Sequence, residues 1–113
     1  MLDLKEQYQS LKTEIQEKLE EVMSTSQFIL GSNVKALEQD IADYSHVSYG
    51  VGVASGSDAL HISLLAAGVE AGDEVIVPAF TFFATAGAVA RVGAIPVFVD
   101  IEPEGYNMDP ASL

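Results

Sequence analysis

The sequence predicts an α/β fold in which a partial parallel sheet is flanked by helices. Between Gly50 and Asp100, a β-rich run, a small-residue turn and a helix of small apolar residues occur twice, and a third β-rich run follows. Gly68 and Gly93 stand where the two helices would end, which is the usual position of glycine at a helix C-terminus. Strands that alternate with helices of this length form parallel sheets covered on both faces.

Two helices are predicted before the first strand. Apolar residues at steps of three and four predict an amphipathic helix over residues 4–22; they are Leu4, Tyr8, Leu11, Ile15, Leu19 and Val22. A second helix is predicted from Ser32, a candidate N-cap, to about His46. The break between the helices carries an apolar tip at residues 28–31. A partner, a ligand and packing beneath a longer chain remain open explanations for this tip.

The remaining elements alternate along the rest of the chain. Strands are predicted over residues 49–54, 74–77 and 95–99, and helices over residues 57–67 and 82–92. Asp109 followed by Pro110 predicts another helix start. Because three parallel strands leave open edges and half-covered faces, we expect this chain to be the N-terminal part of something longer.

The composition argues against several classes of function. Seventeen acidic residues against five Lys and Arg give a formal charge of -12, whereas nucleic acids and anionic membranes attract basic surfaces. No apolar run approaches the ~20 residues of a membrane span. The chain has no cysteine and only two isolated histidines, so neither a disulfide framework nor a metal motif is expected. These features predict a cytoplasmic protein.

The turn Ser55-Gly56-Ser57-Asp58 is the main candidate for a binding site. A strand that feeds a helix through small residues aims backbone N–H groups and the positive end of the helix dipole at one point, where a phosphate can bind. Gly56 lets a ligand approach the backbone closely, and Ser57 can cap the helix while its hydroxyl holds the phosphate. A plain N-cap at Ser57 explains the turn equally well.

Three phenylalanines follow the second predicted strand, at positions 80, 82 and 83. They are therefore expected at the same carboxyl edge of the sheet as the turn. Phenylalanines in such a group are more often core residues, but all three cannot face the same side of a helix start. We expect one of them to face the cleft and to stack on a flat ring whose phosphate reaches the turn.

Two rival sites have weaker support. Gly50, Gly52 and Gly56 are spaced as in a dinucleotide-binding turn, but the first two lie inside the predicted strand, and the next strand ends in Pro78 instead of an acid. Ser57, Asp58 and His61 contain the residue types of a catalytic triad. Such triads are assembled from separate elements, however, and the Gly-x-Ser-x-Gly elbow is missing.

Four stretches resemble the DegT/DnrJ/EryC1/StrS aminotransferases: Phe28-Ile29-Leu30-Gly31, Ser55-Gly56-Ser57-Asp58-Ala59-Leu60, residues 72–82 and residues 96–101. The resemblance covers nearly the whole chain in the order of the family. It implies the N-terminal part of the large domain of a fold type I, aspartate aminotransferase-like enzyme. Residues 1–46 would form an N-terminal helical arm, and residues 47–113 would supply the first three strands of a truncated cofactor-binding domain.

The resemblance also implies a chemistry and its partners. Family members use pyridoxal phosphate to aminate keto-sugars carried on nucleoside diphosphates, usually with glutamate as amino donor and usually as homodimers. Carried over by position, Gly56, Ser57 and Asp58 resemble the turn that binds the cofactor phosphate, and Phe82 matches the aromatic residue that stacks on the pyridine ring. Residues 2–5 together with residues 28–31 are similar to members that act on 3-keto sugars.

The resemblance assigns no catalytic residue to this chain. In the family, the lysine that forms the Schiff base and the aspartate that pairs with the pyridine nitrogen correspond to positions beyond Leu113. The lysines present, Lys5, Lys12, Lys18 and Lys35, all precede the phosphate turn. We therefore expect the 113 residues alone to be inactive. The alternatives are a non-catalytic regulatory or binding protein of the same family and a nucleotide-binding, Rossmann-like protein.

Overall fold

A computed structural model describes residues 3–113, which divide into two compact units, one ending at Gly52 and the other starting at Val53. The first unit contains two helices, α1 (Leu4–Thr25) and α2 (Ser32–Tyr44). The second contains α3 (Gly56–Ala66), β1 (Glu74–Pro78), α4 (Ala84–Arg91) and β2 (Ile95–Val99), followed by a 3-10 turn at Pro110–Ser112. None of the described helices is long and apolar enough to cross a membrane.

The first helix begins where Asp3 can cap it. The Asp3 carboxylate accepts hydrogen bonds from the N–H groups of Lys5 and Glu6 at 2.9 and 3.1 Å, which satisfies two of the free donors of a helix start. The helix continues three residues past the predicted end, to Thr25, and Ser26 closes it in the left-handed region at φ 54°. The apolar stripe of α1 is not buried within the described residues.

The second helix differs from its prediction at both ends. Gly31, and not Ser32, is the N-cap residue, because the backbone is still extended at Gly31 and Ser32 already belongs to the helix. The helix ends at Tyr44, before His46. The Glu38 side chain accepts a hydrogen bond from the Gly52 N–H at 2.7 Å, so α2 holds the chain that follows it. The predicted division after residue 46 into an arm and a cofactor domain stays a prediction.

The prediction of a strand at residues 49–54 is wrong for the part of the chain that the structure describes. Within residues 3–113, β1 and β2 form the one ladder, in parallel, with a register that runs from Glu74 opposite Ile95 to Pro78 opposite Val99; Ile101 and Met108 form an isolated antiparallel bridge. Residues 49–54 have no ladder partner there, and Val51 is 79% exposed. The β-branched residues favour a strand only where a neighbouring strand is available to pack against.

The core of the second unit lies where α4 packs on the two-stranded sheet. Val77 of β1, Val89 of α4 and Ala94 before β2 form a buried cluster, and Leu64 of α3 packs against it. The strands at residues 74–78 and 95–99 confirm two of the three predicted ones to within a residue. Because β1 and β2 are parallel, the segments that follow them leave from the same edge of the sheet.

The helix ends of the second unit correct two predicted boundaries. Ser55 caps α3, since its Oγ accepts the Asp58 N–H at 3.1 Å, so Ser57 lies inside the first turn and is not the cap. Phe82 lies before α4, which starts at Ala84. Gly68 and Gly93 follow the ends of α3 and α4 at φ 80° and 81°, in the left-handed conformation that favours glycine there.

The two serines of the turn offer a matched test of the cap. We expect Ser55→Ala to lower the free energy of unfolding by about 0.5–2 kcal/mol, because the helix start loses its side-chain acceptor. Ser57→Ala should change it by less than about 0.5 kcal/mol, since no hydrogen bond of the Ser57 hydroxyl is present in the described residues. Urea unfolding of the full-length protein measures both. A larger loss for Ser57→Ala than for Ser55→Ala would contradict this cap assignment.

Candidate functional site

The start of α3 and the start of α4 face one cavity of about 570 Å³ in the second unit. Ser57 lines it from α3, and Phe82 and Phe83 line it from the segment before α4. One side of α4 supplies the rest of the wall, with Ala84, Gly87, Ala88, Ala90 and Arg91. Positions 84, 87, 88 and 91 are three and four residues apart, so they share a helix face. Their small side chains leave the space open.

In the first turn of α3, some backbone N–H groups are paired within the helix start and two, those of Gly56 and Ser57, are not. The N–H of Ala59 donates to the Ser55 carbonyl at 2.9 Å, and that of Asp58 donates to Ser55 Oγ. Within residues 3–113, no acceptor is found for the N–H groups of Gly56 and Ser57. A Cβ placed on Gly56 would meet no atom within 4 Å. Free donors, open space and the positive end of the helix dipole together suit an anion.

Asp58 is occupied inside the protein. Its Oδ2 accepts a hydrogen bond from the Ser55 hydroxyl at 3.0 Å, and its Oδ1 lies 3.6 Å from Nη1 of Arg91. Its N–H is also taken, by Ser55 Oγ. Of the three residues predicted in the turn, Gly56 and Ser57 therefore have N–H groups without an acceptor within residues 3–113, while Asp58 holds the turn together.

The three phenylalanines separate into two environments. The ring of Phe80 lies 6.1 Å from that of Tyr106, tilted by 37°, and it is not part of the cavity wall. Phe82 and Phe83, which are 77% and 83% exposed, both line the cavity. The sequence led us to expect one phenylalanine at the cleft. The structure places two there: Phe82 precedes α4, and Phe83 is the N-cap residue of α4, with helical dihedrals.

The rival sites gain no support from the geometry. Gly50 packs against the main chain of Glu38, and a Cβ on Gly52 would lie 3.2 Å from Glu38 Oε1 and from Val34; these glycines face α2 and leave no cradle for a dinucleotide. Nδ1 of His61 is buried without a hydrogen-bond partner in the described residues, so His61 does not join Ser57 and Asp58 in a triad. No group of three or more His, Asp or Glu residues there could hold a metal ion.

Two residues of the site escaped the sequence reasoning. Ser55 is the cap, but the turn contains two serines, and which of them caps α3 depends on where the backbone enters the helix. One feature of the sequence points to Arg91: it is the only Lys or Arg after residue 52. Its partner Asp58 lies 33 positions earlier in the chain, so periodicity and local spacing could not connect the two.

Comparisons with known proteins identify the chain's relatives. The model of the DegT/DnrJ/EryC1/StrS aminotransferase family matches residues 9–113. The chain is 63% identical, over 100% of its length, to the "pleiotropic regulatory protein" of Geobacillus stearothermophilus. It is 46% identical, over 99% of its length, to the UDP-2-acetamido-2-deoxy-3-oxo-D-glucuronate aminotransferase of Pseudomonas aeruginosa. The chain spans 30% and 31% of the lengths of these two relatives.

A solved structure supplies the fold comparison. S. venezuelae DesV, determined in complex with a ketimine intermediate, matches 97% of this chain with a TM-score of 0.93 and 36% sequence identity; the match covers 30% of the DesV chain. The predicted α/β class with the architecture of fold type I aminotransferases is thereby confirmed. On the match of the family model over nearly all of its residues, the chain belongs to the DegT/DnrJ/EryC1/StrS aminotransferase family.

Proposed function

We propose that this chain is part of a pyridoxal-phosphate-dependent aminotransferase that transfers an amino group from glutamate to a nucleoside-diphosphate keto-sugar. The observation that carries the proposal is that Ser57 and Phe82 line one cavity. The family resemblance gives the first of them to the cofactor phosphate and the second to the cofactor ring. A cytoplasmic homodimer, as the composition and the resemblance led us to expect, belongs to the same proposal.

The donor set fits the phosphate of the cofactor. A phosphate monoester needs several hydrogen-bond donors in one place, and the turn offers the N–H groups of Gly56 and Ser57 together with the Ser57 hydroxyl. The open space at Gly56 lets a phosphate oxygen approach the backbone. The cavity, at about 570 Å³, falls within the roughly 300–1,000 Å³ of small-molecule sites.

When bound, the cofactor supplies an aldehyde that condenses with amines and a ring that withdraws electrons from the reacting carbon. The residues of this chain bind and orient it. The turn of α3 would hold the phosphate, and the exposed ring of Phe82 would stack on the pyridine ring. Lys5, Lys12, Lys18 and Lys35 are all on α1 and α2, and none lines the cavity. The chain therefore contributes anchoring groups and no assigned proton carrier.

A 3-keto sugar is the finer form of the proposed substrate. Residues 2–5 and 28–31 are similar to members that act on 3-keto sugars, and the relative from Pseudomonas aeruginosa, at 46% identity, is named for a 3-oxo sugar linked to UDP. The keto position is proposed from these two likenesses and not from a residue of the cavity wall.

A non-catalytic regulator is the second candidate. The relative that shares 63% of its residues with this chain carries the name "pleiotropic regulatory protein". A regulator built on this fold can keep the phosphate turn and the aromatic wall while lacking turnover, so the residues of the cavity do not separate the two candidates. Turnover by the full-length protein does.

Turnover is therefore the first measurement. We expect the full-length protein, incubated with pyridoxal phosphate, glutamate and a UDP- or dTDP-linked 3-keto sugar, to form the amino sugar and to leave the 4-keto isomer largely unused. Product is followed by mass spectrometry against a reaction without glutamate. A protein that binds the cofactor and aminates none of the sugars would favour the regulator.

The Ser57 hydroxyl should contribute directly to cofactor affinity. Ser57→Ala removes one charge-assisted hydrogen bond, so we expect the binding free energy of pyridoxal phosphate to weaken by about 1.5–3 kcal/mol. Equilibrium dialysis of the full-length variant measures this. Ser63→Ala, on the same helix and outside the cavity wall, is the matched control and should bind as the parent does. Retention of the cofactor by Ser57→Ala at the parent's level would remove Ser57 from the site.

Phe82→Ala and Phe80→Ala should affect different properties, the first cofactor affinity and the second stability. Phe82→Ala should weaken cofactor binding by about 0.5–1.5 kcal/mol beyond the loss of contact area, because a stacked ring is removed. Phe80→Ala should mainly lower the free energy of unfolding, since Phe80 contacts Tyr106 and not the cavity. Dialysis and urea unfolding of both variants test this, with Phe83→Ala as a third variant. If Phe83→Ala loses more affinity than Phe82→Ala, the stacking ring is Phe83.

A further inference from the structure

The capping of α3 places a negative charge beside the proposed anion site. Asp58 is the third residue of the helix, directly after the two residues whose N–H groups find no acceptor in the part of the chain that the structure describes. A carboxylate at this position stabilises the helix start through the Ser55 hydroxyl, with which it shares a hydrogen bond of 3.0 Å. The same carboxylate would repel a phosphate held by Gly56 and Ser57, because like charges within one helical turn oppose each other.

One cation lies opposite this carboxylate. Nη1 of Arg91, at the end of α4, is 3.6 Å from Asp58 Oδ1, and Arg91 also lines the cavity that Ser57 and Phe82 share. Residues 53–113 contain no other Lys or Arg, while they contain eight carboxylates. The positive charge of this unit is therefore concentrated where the phosphate is proposed to bind.

We infer that Arg91 is a positioning residue for the phosphate turn and acts through Asp58. Its guanidinium neutralises the carboxylate that the helix start requires, so that the free donors of Gly56 and Ser57 meet the phosphate without an opposing charge. This inference rests on the proposed function, since it concerns the affinity of the turn for the phosphate of pyridoxal phosphate.

The exposure of the pair favours this role over a structural one. The side chains of Arg91 and Asp58 are 57% and 36% exposed, and ion pairs so open to water contribute little to folding. A phosphate in the cavity would exclude part of that water and strengthen the interaction of all three charges. The pair should therefore have a larger effect on binding than on the stability of the free protein.

The test compares two ligands that differ only in the phosphate group. We expect Arg91→Gln in the full-length protein to weaken pyridoxal phosphate binding by about fivefold to twentyfold and to leave the binding of pyridoxal, which lacks the phosphate, unchanged. Arg91→Lys, which keeps the charge, should bind within about threefold of the parent. Equilibrium dialysis measures all of these affinities, and urea unfolding of each variant checks that it is folded.

The double variant tests whether Arg91 acts through Asp58. Adding Asp58→Asn to Arg91→Gln removes the opposing charge and keeps a polar side chain for Ser55, so we expect it to restore phosphate-dependent affinity to near the parent's. Lys18→Gln is the control for net charge: Lys18 pairs with Glu21 on α1 at 2.7 Å, and this hydrogen bond raises the pKa of Lys18. Losing that lysine changes the charge by the same amount and should not change binding.

The remaining outcomes would overturn the inference. A double variant as weak as Arg91→Gln alone would mean that Arg91 contacts the phosphate itself. Equal losses for pyridoxal phosphate and pyridoxal would mean that Arg91 only shapes the cavity, and unchanged binding by Arg91→Gln would remove any role. A parent protein that does not bind pyridoxal phosphate overturns the proposed function together with this inference, which separates that failure from the failure of Arg91 alone.

Discussion

The arrangement of the second unit depends on the packing of one short helix, α4. Val89 of this helix is buried against Val77 and Ala94, which fixes α4 on the parallel pair of strands. Its small residues at positions 84, 87 and 88 line the cavity on the α4 side. A larger side chain at these positions would fill the space between α3 and α4, so the same alanines and glycine that allow close packing also create the site.

Each face of the sheet combines buried and exposed apolar side chains within residues 3–113. Val77 and its register partner Phe98 share one face, and Ile76 and Val99 share the other; Val77 and Val99 are buried, while Ile76 and Phe98 remain about half exposed. Parallel strands that are apolar on both sides are normally buried on both. The two strands are therefore only partly covered by residues 3–113, and the chain spans about 30% of the length of the relatives from Geobacillus stearothermophilus and Pseudomonas aeruginosa.

Local patterns predicted the elements that local interactions determine. The periodicity of α1 and the left-handed glycines after α3 and α4 could be read from neighbouring residues, and so could the two strands that pair with each other. The conformation of residues 49–54 could not be read from neighbouring residues, because β-branched residues form a strand only with a partner strand. The site was predictable in part: Ser57 and Phe82 were placed at one edge by the order of the elements, whereas the contact of Arg91 with Asp58 depends on how α3 and α4 pack.

The turn at the start of α3 divides two requirements between its two outer and its two inner residues. A helix start has several free N–H groups, and each one satisfied by a cap is lost to a ligand. Ser55 and Asp58 satisfy each other: the serine accepts the Asp58 N–H, and its hydroxyl donates to the carboxylate. Gly56 and Ser57, between them, keep their donors, and Gly56 has no side chain to block access. Because Ser55 is the cap, Ser57 Oγ accepts no helix N–H, and the Ser57 hydroxyl makes no hydrogen bond within residues 3–113. The stability of the helix and its capacity to bind an anion are compatible here because the cap is placed two residues earlier.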